Sequence, residues 1–527
     1  MTADVGVAMP GPSDVERPEA GVPGALFGSD AVVDALRALD IPYVALNPGA
    51  SFRGLHDSLV NHRGNAGPQM LLCLHEEHAV AIAHGWAKVM GRPMLAAVHS
   101  NVGLFHATMA IFNAWCDRMP VIVLGATGPV DAAARRPWID WIHTAQDQGA
   151  IVRPYVKWDA QPGSPAAARE ALFRAAWLAG TGPMGPTYIN LDAAMQEAPM
   201  AGPLPAVPPS RFMPAVDAAP GRDVVGRVVA MLRGAARPVL LAGRAGRGEA
   251  AWDARVRVAE ALGARVVTDL KVGAAFPTAH PLHAGAPGVF AGPEALAAIR
   301  EADVVLSLDW VDLAGTLAAA GAAAGGAGAR VIQVSQDHVL HNGWSADHQG
   351  LPAVDLFVQA DADATVIALM EALGAGTARM VLADVAAVEL APGPIAVPVM
   401  AGVLRGAVAG REVSLLHLPL SWDGASWPFS HPLDYLGSDG GGGIGGGPGI
   451  AVGAALALRG SGRLPVAVCG DGDTLMGITA LWTAAHYRIP LLLVVANNQS
   501  FFNDAVHQER MARQRGRPVS NKWIGCG

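Results

Sequence analysis

The C-terminal part of the chain places a segment of helical pattern between two short apolar runs. Residues 464–469 (LPVAVC) and 489–496 (IPLLLVVA) have the length and apolar character of buried strands, and residues 475–487 between them are typical of a helix. This order predicts a βαβ unit. A right-handed crossover places the carboxyl ends of both parallel strands at one edge of the sheet, where open α/β sheets bind ligands.

Polar residues follow both predicted strands. Asp471 comes directly after the first strand and Asn498 directly after the second. A carboxylate and an amide supply hard oxygen ligands, which suit a Mg²⁺ ion that takes its other ligands from phosphate and water. The sequence therefore predicts a crevice that holds a metal-bound diphosphate.

A run of glycines precedes this unit. Residues 437–449 (GSDGGGGIGGGPG) lead directly into an Ala-rich apolar helix at residues 450–458. Only glycine lets the main chain approach a flat or anionic group this closely and still turn freely. A flexible linker is the alternative, but a linker is seldom followed at once by a well-formed apolar helix. We interpret the run as a cofactor-binding loop.

Candidate acid-base residues lie far upstream. Residues 71–74 form an apolar strand that turns into a helix with Glu76 and Glu77 in its first turn. Acidic residues at that position interact favourably with the helix dipole and often do nothing else. His99 follows a second apolar strand at residues 93–98, where loop residues face a ligand site, although a lone histidine there is more often structural.

Composition narrows the class of protein. The chain has 527 residues, 51% hydrophobic and 16% charged, enough for two or three cores. The formal net charge of −8 and the lack of a basic patch argue against nucleic acid or an acidic membrane as partner. Four cysteines without paired metal spacing favour a cytoplasmic location, and residues 1–20 match neither a signal peptide nor a membrane span.

Strands and Ala-rich helices alternate through the whole chain, which predicts an α/β fold of three consecutive domains with mainly parallel sheets. A proline-rich linker covers residues 198–220, and a weaker boundary covers residues 374–397. The glycines at residues 243–248 follow a strand but lack the dinucleotide spacing, so we interpret them as a structural turn.

The C-terminal motif resembles that of thiamine-dependent decarboxylases, carboligases and acetolactate synthases. The resemblance rests on Gly470-Asp471-Gly472, the spacing that follows and Asn497-Asn498. It implies that thiamine diphosphate and Mg²⁺ bind here, and it assigns residues to both. The implied metal ligands are Asp471, the Asn498 side chain and the Ser500 backbone carbonyl, and the implied cofactor-binding residues are Gly442, Ile444, Gly470, Gly472, Asp473 and Thr474.

The upstream segment resembles the His-Glu or Gln-Glu segment of the same family, with Trp86 in place of a tyrosine. The resemblance implies that Glu76 is the catalytic carboxylate, which hydrogen-bonds the cofactor's pyrimidine ring and promotes formation of the ylid. Such a group works best near a neutral pKa, so we expect desolvated, apolar surroundings from Cys73, Leu74 and Ile82.

Two histidines match the catalytic histidines of benzoylformate decarboxylases. His99 is followed by Ser100, as in those enzymes, whereas acetolactate synthases have Thr-Ser-Gly at that place. His280 lies in a Phe-Pro-x-x-His-Pro motif that acetolactate synthases share. The family's active-site serine is Ala50 here, which leaves specificity for aromatic 2-oxo acids open.

The resemblance covers the chain from about residue 25 and implies a 2-oxo acid decarboxylase that acts through an ylid and enamine, with or without carboligation. One alternative is an acetolactate synthase of branched-chain amino acid biosynthesis, which would contain FAD; FAD is compatible with the middle domain but is not predicted. Another alternative is an inactive cofactor-binding homologue. The substrate that the resemblance implies is a small 2-oxo acid.

The resemblance also implies a homodimer or homotetramer with active sites between subunits. The predicted division is a disordered tail at 1–24, a pyrimidine-binding domain at 25–197, a linker at 198–220, a middle domain at 221–373, a linker at 374–397 and a diphosphate-binding domain at 398–527. Related chains continue for several tens of residues past the Asn-Asn segment, so the last domain is expected to be truncated.

Overall fold

The computed structural model describes residues 15–19, 24, 26–216, 218–321, 328–339, 350–378 and 393–527. Most of the expected N-terminal tail, residue 217 of the first linker and residues 379–392 of the second linker lie outside the described residues. Three parallel sheets follow one another along the chain. The predicted class, consecutive α/β domains with mainly parallel sheets, is confirmed.

The N-terminal domain is built on six parallel strands in the order β3-β2-β4-β5-β7-β6. A small antiparallel pair, β1 with β8, joins the start of this domain to its end. The strands are β1 Leu26–Phe27, β2 Tyr43–Leu46, β3 Gln69–Leu72, β4 Met94–Ala97, β5 Val121–Thr127, β6 Asp159–Ala160, β7 Thr187–Asp192 and β8 Pro199–Met200. The helices are α1 Gly28–Ala38, α2 Arg53–Asp57, α3 Glu76–Met90, α4 Ser100–Cys116, α5 Ile139–Ile142, α6 Pro165–Gly180 and α7 Ala193–Glu197.

The described residues of the middle domain form five parallel strands in the order β10-β9-β11-β12-β13 around an apolar core of their own. Its strands are β9 Pro238–Ala242, β10 Arg265–Val267, β11 Val304–Leu308, β12 Arg330–Val334 and β13 Leu356–Val358. Its helices are α8 Arg222–Arg233, α9 Glu249–Leu262, α10 Pro293–Glu301, α11 Leu313–Ala319 and α12 Ala362–Leu373.

The C-terminal domain has three parallel strands in the order β14-β15-β16. Its strands are β14 Val413–His417, β15 Leu464–Gly470 and β16 Leu492–Ala496, and its helices are α13 Val397–Ala407, α14 Gly446–Ala457, α15 Asp471–Gly477, α16 Ala480–His486 and α17 Phe502–Gln514. The single crossover helix expected at residues 475–487 is two helices. A break near Gly477 brings this residue against the carbonyl of Gly445, where a side chain would not fit.

Two helices join the first and last domains. Helix α3 packs along helix α14 so closely that glycines are required at the crossing, because a Cβ at Gly85 would lie 2.7 Å from the carbonyl carbon of Ile450. Glycine is also required on the other helix, because a Cβ at Gly453 of α14 would lie 2.6 Å from the carbonyl carbon of Ile82 in α3. Both helices belong to one continuous apolar core. The crossing therefore fixes the upstream acidic segment relative to the glycine-rich loop.

Few residues of the N-terminal tail are described, and Glu16 among them contacts the C-terminal domain. Its carboxylate accepts a hydrogen bond from the Tyr487 hydroxyl (2.6 Å), which in turn accepts one from the backbone N–H of Leu72 (2.8 Å). Within the described part of the chain, no helix combines the length and apolar character needed to span a membrane.

Candidate functional site

The two polar residues predicted to bind metal lie at the carboxyl ends of neighbouring strands. Strands β15 and β16 pair in register up to Gly470 and Ala496, so Asp471 and Asn498 follow at the same edge of the sheet. The Asn498 side-chain oxygen accepts a hydrogen bond from the backbone N–H of Ser500 (3.0 Å), which closes a tight turn. The hydroxyl of Ser500 is buried and has no hydrogen-bond partner among the described residues.

The carboxylate of Asp473 points into the glycine-rich loop. One of its oxygens accepts hydrogen bonds from the backbone N–H groups of Gly445 (2.7 Å) and Gly447 (3.3 Å), at the N-terminus of α14. The other oxygen is buried without a hydrogen-bond partner among the described residues. The Thr474 hydroxyl donates to the carbonyl of Gly470 (2.7 Å). Both side chains thus hold the turn after β15, and their contact with a diphosphate stays a prediction.

The glycine-rich loop leaves room for a ligand where the family resemblance places one. Gly442 has a φ of +71°, and a Cβ there would meet nothing within 4 Å. Gly470 also has open space on its Cβ side, and Ile444 is 43% exposed. An isoleucine so exposed at the apex of a glycine loop fits the predicted role of a prop for a bound ring.

A buried charge network supports this loop from the N-terminal domain. Lys88 donates to the carbonyl of Ser438 (2.6 Å) and pairs with Asp117, which also contacts His84 Nε2 (2.8 Å). Burial alone would raise the pKa of Asp117, but Lys88 and His84 outweigh it and hold that pKa well below its usual range. The loop is therefore held by Lys88 of α3, which Asp117 pairs with and positions.

Glu76, the predicted catalytic carboxylate, is the first residue of α3 and is almost completely buried. Its Oε2 lies 3.1 Å from Nδ1 of His106, and a Cβ at Gly103 would lie 2.8 Å from its Oε1. The expected apolar surroundings are only partly present: Leu74 is 45% exposed, and the ring of His106 contacts the carboxylate directly. The sequence could not show this because His106 lies on α4, a different helix.

Three imidazoles surround the start of α3. His75 caps the helix, with its Nδ1 accepting from the backbone N–H of Glu77 (3.2 Å), and its ring stacks on that of His106 with the centroids 4.8 Å apart. His78 Nε2 lies 2.8 Å from the Thr479 hydroxyl, in the break between α15 and α16. Burial lowers the pKa of His78 to about 4, so this ring is neutral at physiological pH.

His99 lies at the carboxyl end of β4 and contacts Ser51. The Ser51 hydroxyl and His99 Nδ1 are 2.8 Å apart, and the ring of His143 meets that of His99 edge-on at 4.7 Å between centroids. Burial lowers the pKa of His99, and His143 lowers it further. A neutral imidazole whose Nδ1 is held by a hydroxyl leaves Nε2 available to exchange a proton.

Ser51 was missed in the sequence because reasoning from the family motif pointed to Ala50. The adjacent residue supplies the hydroxyl, and the turn at Ala50–Phe52 directs it to His99. His143 and His106 had no signal in the linear sequence. Their contacts with Glu76 and His99 appear only in the folded chain.

His280 lies in the middle domain, and the contacts that its ring makes are with residues of that domain. Its Nε2 is 3.2 Å from Glu260 Oε1, its Nδ1 accepts from the backbone N–H of Leu282 (3.2 Å), and its ring packs against Phe276. The structure of one chain brings Glu76 and His106 together, and His99 and Ser51 together, but His280 contacts neither pair. A catalytic role for His280 stays a prediction.

Models of the thiamine pyrophosphate enzymes match all three domains. The N-terminal TPP binding domain matches residues 27–151, the central domain residues 225–369, and the C-terminal TPP binding domain residues 421–522. Together these matches span most of the chain, in the order predicted from the sequence.

Individual relatives are more distant. The benzoylformate decarboxylase of Pseudomonas aeruginosa is 27% identical over 82% of this chain and 79% of its own length. The large subunit of acetolactate synthase isozyme 1 of Escherichia coli is 26% identical over 92% of this chain and 83% of its own length. The crystal structure of benzoylformate decarboxylase from Polynucleobacter necessarius has a TM-score of 0.71 at 22% identity, over 93% of this chain and 88% of that one, a likeness of fold.

Proposed function

The chain belongs to the thiamine pyrophosphate enzyme family, and from this premise we propose that it is a Mg²⁺-dependent decarboxylase of 2-oxo acids. The observation that carries the choice of reaction is the contact between Ser51 and His99 at the carboxyl edge of the N-terminal sheet. It provides an oriented, neutral imidazole, the type of group that a decarboxylase needs to handle protons.

The residues present fit thiamine diphosphate with Mg²⁺. Asp471 follows β15, and Asn498 and the Ser500 carbonyl lie in the turn after the neighbouring strand β16, so all three offer oxygen ligands at one edge of the sheet. Hard oxygen ligands are those that Mg²⁺ prefers. The open glycines at 442 and 470 leave space for the diphosphate and the ring. When bound, this cofactor would supply a carbon nucleophile and would accept the electron pair of the carbon–carbon bond that breaks as CO₂ leaves.

The protein's own contribution is to hold groups and move protons. Glu76 is almost completely buried at the N-terminus of α3, where its carboxyl group would exchange a proton with a ring nitrogen of the bound cofactor. Ser51 fixes the ring of His99, which leaves Nε2 to orient a substrate carboxylate and to deliver a proton after CO₂ has left. Within one chain His280 contacts Glu260, Leu282 and Phe276, so its proposed role beside them rests on the predicted homo-oligomer.

An acetolactate synthase is the second candidate. The specific observation for it is Ala50, which replaces the serine expected of a benzoylformate decarboxylase. The Phe-Pro-x-x-His-Pro motif at residues 276–281 is common to both kinds of enzyme and does not distinguish them. The two reactions differ in the fate of the carbon that remains after CO₂ is lost: it is protonated in a decarboxylase and joined to a second oxo acid in a synthase.

The experiment is a screen of the purified chain with thiamine diphosphate and Mg²⁺ against 2-oxo acids that include benzoylformate and pyruvate. We expect CO₂ release with at least one acid, the matching aldehyde as product, and no flavin absorbance. Acetolactate formed from pyruvate would favour the synthase. A chain that binds the cofactor but releases no CO₂ from any acid would be an inactive homologue.

A further inference from the structure

The ring of His106 contacts the carboxylate of Glu76 and is also exposed at the surface of the single chain. Its Nδ1 lies 3.1 Å from Glu76 Oε2, and its side chain is 58% exposed, whereas that of Glu76 is 8% exposed. On the other side of the carboxylate, Gly103 packs so closely that even a methyl group would contact Oε1. A proton that enters or leaves Glu76 through this part of the chain therefore meets the ring of His106.

The ring of His106 is also held in place. It stacks on His75, with an angle of 22° between the two planes. Burial lowers the pKa of His75, and the charge of His106 lowers it further. The Nδ1 of His75 is occupied as the acceptor for the backbone N–H of Glu77. His75 thus stays neutral and serves as a platform, while His106 is the ring that faces both the carboxylate and water.

We propose that His106 is a proton-relay residue that recharges Glu76 from solvent. Water or buffer gives a proton to Nε2, the proton on Nδ1 passes to Glu76 Oε2, and loss of the Nε2 proton with reprotonation of Nδ1 resets the ring; the reverse sequence empties the carboxyl group. No electrons are transferred, and the protons balance in each direction. The relay rests on the proposed role of Glu76, and His106 acts through that residue and not on the substrate.

The simpler explanation is that Glu76 and His106 form a structural ion pair. Whether the two side chains are in contact at all is measured first, on the chain without cofactor. Ring ¹⁵N chemical shifts are measured with labelled histidine, and His106→Asn identifies the signals. Glu76→Gln should move the His106 signals and leave those of His62 unchanged. His62 is a matched control because its Nε2 also lies 3.1 Å from a carboxylate, that of Asp34, elsewhere on the same domain. Unmoved His106 signals would overturn the proposal whatever the enzyme does.

Turnover then tests the relay itself. His106→Ala should lower CO₂ release at least about tenfold, part of the loss should return with added imidazole, and His62→Ala should have no effect. His106→Asn keeps a hydrogen-bond donor near Glu76 but cannot relay protons, so it should remain slow. Wild-type turnover in His106→Asn would show that the residue only positions Glu76 and would overturn the relay. A wild-type chain that releases no CO₂, with the NMR coupling present, would refute the proposed function and reduce the contact to a structural pair.

Discussion

Replacement of Gly453 by alanine tests whether the crossing of α3 and α14 fixes the site. The added Cβ would lie 2.6 Å from the carbonyl carbon of Ile82 and 2.8 Å from its Cα, and nearer still to the carbonyl oxygen. These are backbone atoms in the middle of a helix, so no side-chain rotation relieves the clash. The two helices must move apart, and the reciprocal contact of Gly85 with Ile450 is lost with them.

The expected change in the free energy of unfolding of Gly453→Ala results from two opposing effects. Overpacking of a well-packed core typically costs about 1–3 kcal/mol, and a contact with rigid backbone belongs near the upper end. Alanine in a helix interior recovers about 1 kcal/mol relative to glycine. We therefore expect Gly453→Ala to lower the free energy of unfolding by about 1–2 kcal/mol.

The matched control is Gly226→Ala. Gly226 lies within α8, is exposed, and a Cβ there would meet nothing within 4 Å, so this substitution should stabilise by about 0.5–1 kcal/mol. Urea unfolding of both variants gives the comparison, and calorimetric titration should show weaker binding of thiamine diphosphate by Gly453→Ala only. Equal stability of the two variants would refute the close helix crossing.

Four further predictions concern the site. Glu76→Gln should slow exchange of the cofactor's C2 proton by orders of magnitude, as read by NMR, while Glu77→Gln has little effect; the opposite result would exchange the roles of the two carboxylates. Asp471→Ala should greatly weaken calorimetric binding of the cofactor with Mg²⁺, and unchanged affinity would remove this metal site. His99→Ala should lower kcat by about 10²- to 10⁴-fold and remove a pH limb below about 6.5, with cofactor binding intact; a loss below about threefold would make His99 a structural residue. Burial lowers the pKa of His78 to about 4 in the folded chain, so its contribution to the free energy of unfolding is present above about pH 6.5 and is lost as the pH falls towards 4. At pH 5 the loss should be about 2 kcal/mol. Urea denaturation at pH 7 and at pH 5 should show this loss, and the loss should be smaller in His78→Gln.

The features that the sequence determined are local or follow from chain topology. Short apolar runs predicted β15 and β16 within three residues of their observed bounds, because runs of this length and composition are typical of strands in parallel sheets. The expected burial is found for β15 but not for β16, which exposes Leu492 and Val495. Parallel pairing then forced Asp471 and Asn498 to the same sheet edge without knowledge of any side-chain contact. The order of the three domains was implied by the family resemblance, and the family models match in that order.

Contacts between distant segments were decided only by the tertiary structure. The hydroxyl beside His99 comes from Ser51 and not from position 50, because the orientation of a side chain in a turn depends on backbone angles that a motif does not give. The pair of Glu76 and His106 depends on how α3 and α4 lie against each other, and the site of His280 on the packing of the middle domain. The sequence indicated the glycine-rich loop at residues 437–449. It could not indicate that glycine is required at Gly85 and Gly453, because this requirement arises only where the backbones of two helices meet.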